Sequence, residues 1–486
     1  MTLAVVIGDG VDELVAAHYL RKGGHDVTLV HSEGRGLQRD TEPGWVPPYI
    51  LRDLTLDQHG FAVMHSAAWA RVPLADAGAL DLLSDIGQCA QSIRRVSTRD
   101  AERWPEFCAR MHALAQVLAD IYCALPPDPL ASDLGDAIAG ARAALRVRGL
   151  GRQGIEDLLR LLPMSIADFL DEWFENDGLK GALAAQGVTD LCQGTRSSGT
   201  AFNFLHRHVG SAPGMFRPAR SNVRHVLCSL GGIHARDGEV ARVLTRAGRA
   251  IGVALASGET IAADVVVSGL DPARTLMQLA DPGLLDPRLV RALRNVRSRG
   301  VAARLTLEVE TMPEWLNLVI APSLDYLERA YDDVKHGRVS DKPYIEAHAA
   351  TVGGSGRSRV DVCVQYVPQR MSAQANNDAR AAIAALVKRE LAPHLQDIAD
   401  VSPPSVLTPP DLQAQYGWPQ GQPCHAEIAL DQALWMRPLP ELARYRTPIA
   451  GLYLCGPAMH PGGPVAGAAG ANAAAVIRRD RKRRGR

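Results

Sequence analysis

The sequence predicts an α/β fold: a Rossmann-type domain built on parallel strands, into which a second, mixed α+β domain is inserted. Three observations predict it. The chain opens on a short apolar run, a glycine turn and a helix, followed at once by a second apolar run. Such a βαβ unit is the start of a parallel sheet. A long middle stretch repeats apolar residues every three or four positions, then gives way after Gly231 to short alternating stretches. The chain closes on an apolar run, a glycine-rich loop and an Ala-rich helix.

Taken in order, Leu3 to Ile7 suits a buried parallel strand, and Gly8-Asp9-Gly10 a tight turn. Asp12 to Lys22 reads as a helix on Leu14, Val15, Ala17 and Leu20, ended by Gly23-Gly24. Asp26 to Val30 is the second strand. Residues 75–215 read as largely helical. The stretch from Glu239 to Gly269 alternates apolar and polar residues around Gly248 and Ser257-Gly258, as meander hairpins do. Arg304 to Val309 and Val360 to Tyr366 are expected strands of another sheet, and Asp378 to Leu391 a helix. Leu452 to Cys455 is the last strand, with a helix from about Gly470. The domains expected are a discontinuous nucleotide-binding unit over 1–75, 215–285 and 420–486, and a cap over 76–214 and 286–419.

Composition narrows the function classes. Lys plus Arg and Asp plus Glu are equal at 53 each in 486 residues, so no global field draws in nucleic acid. Aromatics at 5% argue against stacking surfaces for bases. The eight cysteines are scattered without a CxxC pair, which excludes zinc-finger spacing and a vicinal redox disulfide. No apolar run reaches the roughly 18 residues of a membrane span. The N-terminus runs straight into a strand, without the charged region and cleavage site of a leader, so a cytoplasmic protein is expected. Arg478 to Arg486 is almost wholly basic. It reads as a solvated tail, or as a weak peripheral contact with acidic lipid or a partner.

Three stretches carry a resemblance. They are "VVIGDGVDELVAAHYLRKGGHDVTLV" at the start, "PMSIADFLDEWFENDGLKGALAAQGV" with "GTAFNFLHRHVG" in the middle, and "LYLCGPAMHPGGPVAGAAGANAA" at the end. Together with "GVALASGETIAADVVVSGLDP" they resemble the phytoene-desaturase-like flavoproteins. Within these, the chain is most similar to the pyridine nucleotide-disulfide oxidoreductase domain-containing group. The resemblance implies a glutathione-reductase-like FAD domain and a substrate domain covering the flavin ring. It implies hydride transfer or isomerisation at C–C bonds of an apolar small molecule.

A dinucleotide turn needs a first glycine for the bend, a second for close approach to the pyrophosphate and a third for helix packing. Gly8 and Gly10 are present, but Glu13 stands at the third position. Asp9 and Asp12 crowd the same helix start. A unit charge about 4 Å from a phosphate charge costs roughly 4 kcal/mol at an effective dielectric near 20. His31 stands where an acid should bind the ribose, with Glu33 two residues on. The glycine pair expected next is "EGRGLQRD", and the middle glycine loop is replaced by Ser221-Asn222-Val223-Arg224. The C-terminal element keeps Gly456, Gly462, Gly463, Val465, Gly467 and Gly470, while Pro464 removes one N–H donor. Two readings stay open. Either FAD binds and the chain is an oxidoreductase, or FAD has been lost and the scaffold is a non-catalytic protein, as a homodimer or paired with an active relative.

Other candidates are His460, in the loop that the resemblance turns toward the flavin, and the neighbours Cys424 and His425. His206 and His208 share one face if they lie on a strand, but no third ligand is in view, so no metal site is expected. Arg217 and Arg224 could meet an anion, although solvated surface arginines are the expectation. Asp168, Asp171, Glu172 and Glu175 read as the polar face of a helix.

Overall fold

The computed structural model describes residues 2–31, 42–64, 66–74, 78–126, 140, 141, 144, 145, 147–351, 357–395, 398 and 405–484. The chain is a mixed α/β protein with a parallel sheet. Five strands, Leu452–Leu454, Val265–Ser268, Thr2–Ile7, His25–His31 and His234–Asp237, lie side by side in that order. All four pairings are parallel. Val5, Val6, Val266 and Val267 are buried on both faces, which is why these strands read as unbroken apolar runs. Burying each such side chain contributes about 1.5–3 kcal/mol.

The first helix, Val11–Lys22, starts where Gly10 bends into an extended N-cap and ends at Gly23, with Arg21 and Lys22 complementing its C-terminal dipole. It buries Leu14 to His18 and Leu20 against the sheet and against the last helix, Ala468–Arg484. A meander of Val240–Arg246, Arg249–Leu255 and Thr260–Ala262 packs on the same core.

A seven-stranded sheet forms the second layer, in the order 406–407, 302–309, 358–365, 345–351, 317–320, 68–73, 79–83. Its pairings are antiparallel except that of 317–320 with 68–73. Ala373–Leu391 covers part of one face, around Ile383, Val387 and Leu391. A helical core around Trp104, Phe107, Phe174 and Phe216 packs beside it, formed by Thr98–Tyr122 with Ile166–Trp173, Asp177–Val188 and Thr200–Arg207. The hairpin 68–73/79–83 pairs into this sheet, so the stretch expected to be helical opens on strands, and strand 68–73 leaves the parallel-sheet layer before residue 75. Helix and strand types elsewhere match the reading, with ends shifted by a few residues. The last helix starts at Ala468, and the helix expected from Asp378 begins at Ala373.

Candidate functional site

A groove of about 350 Å³ runs along the carboxyl ends of strands 2–7, 25–31 and 265–268 and on beneath the second sheet. That volume lies in the usual range of small-molecule sites, about 300–1,000 Å³. At the carboxyl ends of parallel strands, exposed backbone N–H groups and helix N-termini converge.

One end is the turn from Ile7 to Glu13. Gly8 has φ +111°, a conformation side chains rarely adopt, so only glycine is comfortable there. Glu13 is 4% exposed and folds back beneath the turn. Its carboxyl fills the space left by three glycines: a Cβ on Gly8, Gly10 or Gly269 would lie 3.0, 2.4 or 1.7 Å from its atoms. A large side chain at the third glycine position is therefore accommodated, because Gly269 at the end of the neighbouring strand makes room. Burial raises the Glu13 carboxyl to about 8, with Asp12 and Asp9 adding to the shift, so Glu13 is mainly neutral at pH 7.

The other two carboxylates also line the groove, but each has partners of its own. Asp9 forms a 2.6 Å ion pair with Arg224, at the start of the helix Val223–Ser229. Asp12 turns away to the start of the last helix, where its Oδ1 accepts from the Gly470 N–H at 3.4 Å. The Ala469 and Gly467 N–H groups also hold it. Burial raises it to about 7 despite those bonds. The expected crowd of three free carboxylates is thus corrected. One is paired, one caps a helix and one is largely protonated. None of the three points out to solvent.

At the strand 25–31 end, His31 Nε2 lies 3.2 Å from Asp237 Oδ1. Glu239 beside it pairs with Arg274 at 3.0 Å. An acid thus stands near this end of the groove, supplied by a neighbouring strand rather than by position 31. Glu33 and the "EGRGLQRD" glycines fall outside the described residues.

The C-terminal loop is held by a side chain that sequence reasoning missed. Arg437 is fully buried, and its guanidinium donates to the carbonyls of Glu427, Gln432, Cys424, Ala426 and Pro457 at 2.8–3.2 Å. Without a carboxylate partner, burial lowers it to about 10, so it stays charged. Gly462, at φ +71°, packs against this guanidinium. Gly463 faces His206 and lines the groove. Gly456 packs on Gly269, and Gly470 on the first helix at Asp12. Val465 is buried in a bridge to Trp45. His460 is fully buried, with Nδ1 3.0 Å from the Leu434 carbonyl and Nε2 3.4 Å from that of Ile121. Burial lowers it to about 4. Of the residues expected to hold the cofactor, Gly8, Gly10, Glu13, His31 and Gly463 line the groove. His460, Gly456, Gly462, Val465 and Gly470 shape its walls from behind.

The far end meets the cap. Asp190 bridges two arginines, Arg207 at 3.1 Å and Arg304 at 2.8 Å. Cys424 and His425 lie there in a turn rather than a strand, and both line the groove. His425 has φ +56°, so the alternation that would have put the two side chains on opposite faces does not apply. Other candidates fall elsewhere. His206 lies in the helix Thr200–Arg207 and His208 caps its C-terminus, both buried, with His206 Nδ1 2.6 Å from the Tyr122 hydroxyl. Arg217 is 8% exposed and reaches the Met64 carbonyl. Neither it nor Arg224 is a solvated arginine, because each has a partner across the fold. Asp168 is bonded to Ser165, Asp171 to Lys180, Glu172 to Arg160 and Glu175 to Ser97, so they do not converge.

A family model described as flavin containing amine oxidoreductase matches residues 173–478. A rat protein called pyridine nucleotide-disulfide oxidoreductase domain-containing protein 2 is 27% identical over 99% of this chain and 94% of its own. One of the limonene dehydrogenase subunits of Castellaniella defragrans is 24% identical over 98% and 94%. Hydroxyneurosporene desaturase of Rubrivivax gelatinosus is 27% identical over 54% and 52%. A putrescine oxidase triple mutant has the same fold, with TM-score 0.59 at 16% identity over 99% of both chains.

Proposed function

The chain belongs to the flavin containing amine oxidoreductase family, and on that premise we propose that it is a FAD-dependent oxidoreductase moving hydride between the flavin and a C–C bond of a largely apolar small molecule. One observation carries the reading: the turn that would meet the pyrophosphate is electrically quiet. Asp9 is paired with Arg224, Asp12 is turned to the last helix, and Glu13 is raised to about 8. The roughly 4 kcal/mol repulsion expected of free carboxylates therefore does not apply in full at neutral pH. With Glu13 protonated, the residues present fit the cofactor. The Gly8–Gly10 turn and the start of the first helix offer backbone N–H groups to the pyrophosphate. His31, Glu239 and Val240 stand at the adenosine end, and Gly463, Pro464 and Cys424 at the ring end. When bound, FAD accepts or returns a hydride. The chain's own part is to hold the ring between the C-terminal loop and the cap and to keep water from it. The relatives named as a desaturase and a dehydrogenase support C–C chemistry.

A second reading has an observation of its own. The Glu13 carboxyl occupies space between Gly8, Gly10 and Gly269 that backbone would otherwise need for close approach. A chain that has lost FAD and serves as the silent partner of an active relative would tolerate that. Absorbance of the purified protein separates the two. Flavin near one per chain is the expected result. Colourless protein that also fails to take up added FAD would favour the non-catalytic reading.

A further inference from the structure

The cap end of the groove is polar in a way that an all-hydrocarbon ligand does not use. Arg207 comes from the end of the helix Thr200–Arg207, and Arg304 from the strand Ala302–Val309. Both bond one carboxylate, Asp190, and the three side chains are 16%, 17% and 16% exposed. Of the charged side chains on the groove wall here, two are guanidiniums and one is a carboxylate; the Glu346 carboxylate, behind the wall, also acts on Arg304. Glu346 stands two strands along the sheet from Arg304, accepts a hydrogen bond from the Tyr344 hydroxyl at 3.1 Å, and does not line the groove.

One buried nitrogen at this end has no partner: Arg304 Nε. Buried polar atoms in folded proteins are nearly always bonded, so an unpaired guanidinium nitrogen behind a cavity wall calls for an explanation. The backbone is also held in costly conformations around it. Asp190 and His425, which both line the groove, have φ of +60° and +56°. Left-handed non-glycine residues that gather at one cavity point to function rather than packing. Gln365 and Gln422 clamp the backbone N–H and carbonyl of Asp190. The adjoining wall is apolar, with Tyr416 and Trp418 at 5.4 Å between ring centroids, and Pro423.

From this we infer that the cap end of the groove is a carboxylate-binding subsite: Arg304 and Arg207 hold the anionic head of a ligand whose apolar body lies along the Tyr416–Trp418 wall. This rests on the oxidoreductase reading only for the ligand's role as substrate. A carboxylate suits the site because each guanidinium spends one N–H on Asp190 and keeps others in a planar fork. A cationic head would meet Arg207 and Arg304 before it reached Asp190.

Isothermal titration of the full-length protein with octanoate, octanol and octylamine tests the subsite. Octanoate should bind about tenfold or more tighter than octanol, the scale of one charge-assisted hydrogen bond, and octylamine most weakly. Arg304→Gln should erase the preference for octanoate over octanol. In case that change unfolds the chain by stranding Asp190, Arg304→Lys keeps the charge without the fork and should reduce the preference. Arg207→Gln should also weaken octanoate selectively. Equal binding of octanoate and octanol, no binding of octanoate, or a preference for octylamine each overturns the proposal. Flavin absorbance is read on the same samples. Colourless protein that also fails to take up added FAD, yet still selects octanoate, would overturn the oxidoreductase reading and leave the subsite standing.

Discussion

Glu13 decides how this nucleotide turn behaves, because a neutral carboxylic acid and a carboxylate are different ligands for a phosphate. Its folded value of about 8 and that of Asp12, about 7, both lie above the ordinary carboxylate range. A raised carboxyl binds its proton more tightly in the folded chain than in the unfolded one. Its contribution to stability is present in full below about pH 4 and is lost as pH rises through the folded values. Denaturant unfolding should therefore show stability falling by a few kcal/mol between about pH 5 and pH 9, and Glu13→Gln should flatten the upper part of that slope. The same proton governs the cofactor. FAD titrated into the protein should bind several-fold more weakly at pH 9 than at pH 6.5, as an ionised Glu13 repels the pyrophosphate. Glu13→Gln should remove most of that difference, and an unchanged pH profile in the variant would place the repulsion elsewhere. Glu13 was visible in the sequence as the wrong residue at a glycine position. Its protonation was not, since it follows from burial against Gly269, which comes from a remote part of the chain.

Helices and loops show the same division between what is local and what is not. The first strand, turn and helix were legible because their cause lies within a few residues: apolar runs, Gly10 and Gly23. The hairpin 68–83 was missed because its partner strand is Asn317–Ile320, far along the chain. His206 and His208 look like a strand face at spacing two, yet Thr200–Arg207 is helical because Phe202, Phe204 and Leu205 bury into the core on several sides. Arg437 reads as one arginine among many, but it ties together the loop from Cys424 to Gln432 and the turn at Pro457. Arg437→Met would leave several buried carbonyls unpaired. It should cost at least about 3 kcal/mol in urea or guanidinium unfolding, well above a typical surface arginine. Gly462→Ala should weaken the same loop, since a Cβ there would lie 2.0 Å from the Arg437 Nε.

Taken whole, the molecule is sewn together by contacts between distant segments. The central strand Thr2–Ile7 pairs with Val265–Ser268, which pairs with Leu452–Leu454. The last helix buries Ala469, Ala473, Val476 and Ile477 against the first. Removing the chain from Gly451 onward should leave protein that fails to fold cooperatively, as judged by thermal unfolding and limited proteolysis. Removing only the stretch after Asp480 deletes exposed basic side chains and should change stability by less than about 1 kcal/mol. Among the described residues no helix is long and apolar enough to cross a membrane.

Asp12 reaching the amides at Gly467, Ala469 and Gly470 has a consequence in time as well as in space. A ribosome makes the bend at Gly8 long before the residues that brace it. Until the final helix has left the exit tunnel, the Asp12 carboxyl has no amides to bind and the C-terminal loop cannot shut its side of the cleft. A nucleotide held at this turn would then be taken up only after those segments are made, so on the oxidoreductase reading loading would follow their synthesis and the supply of free flavin would limit it.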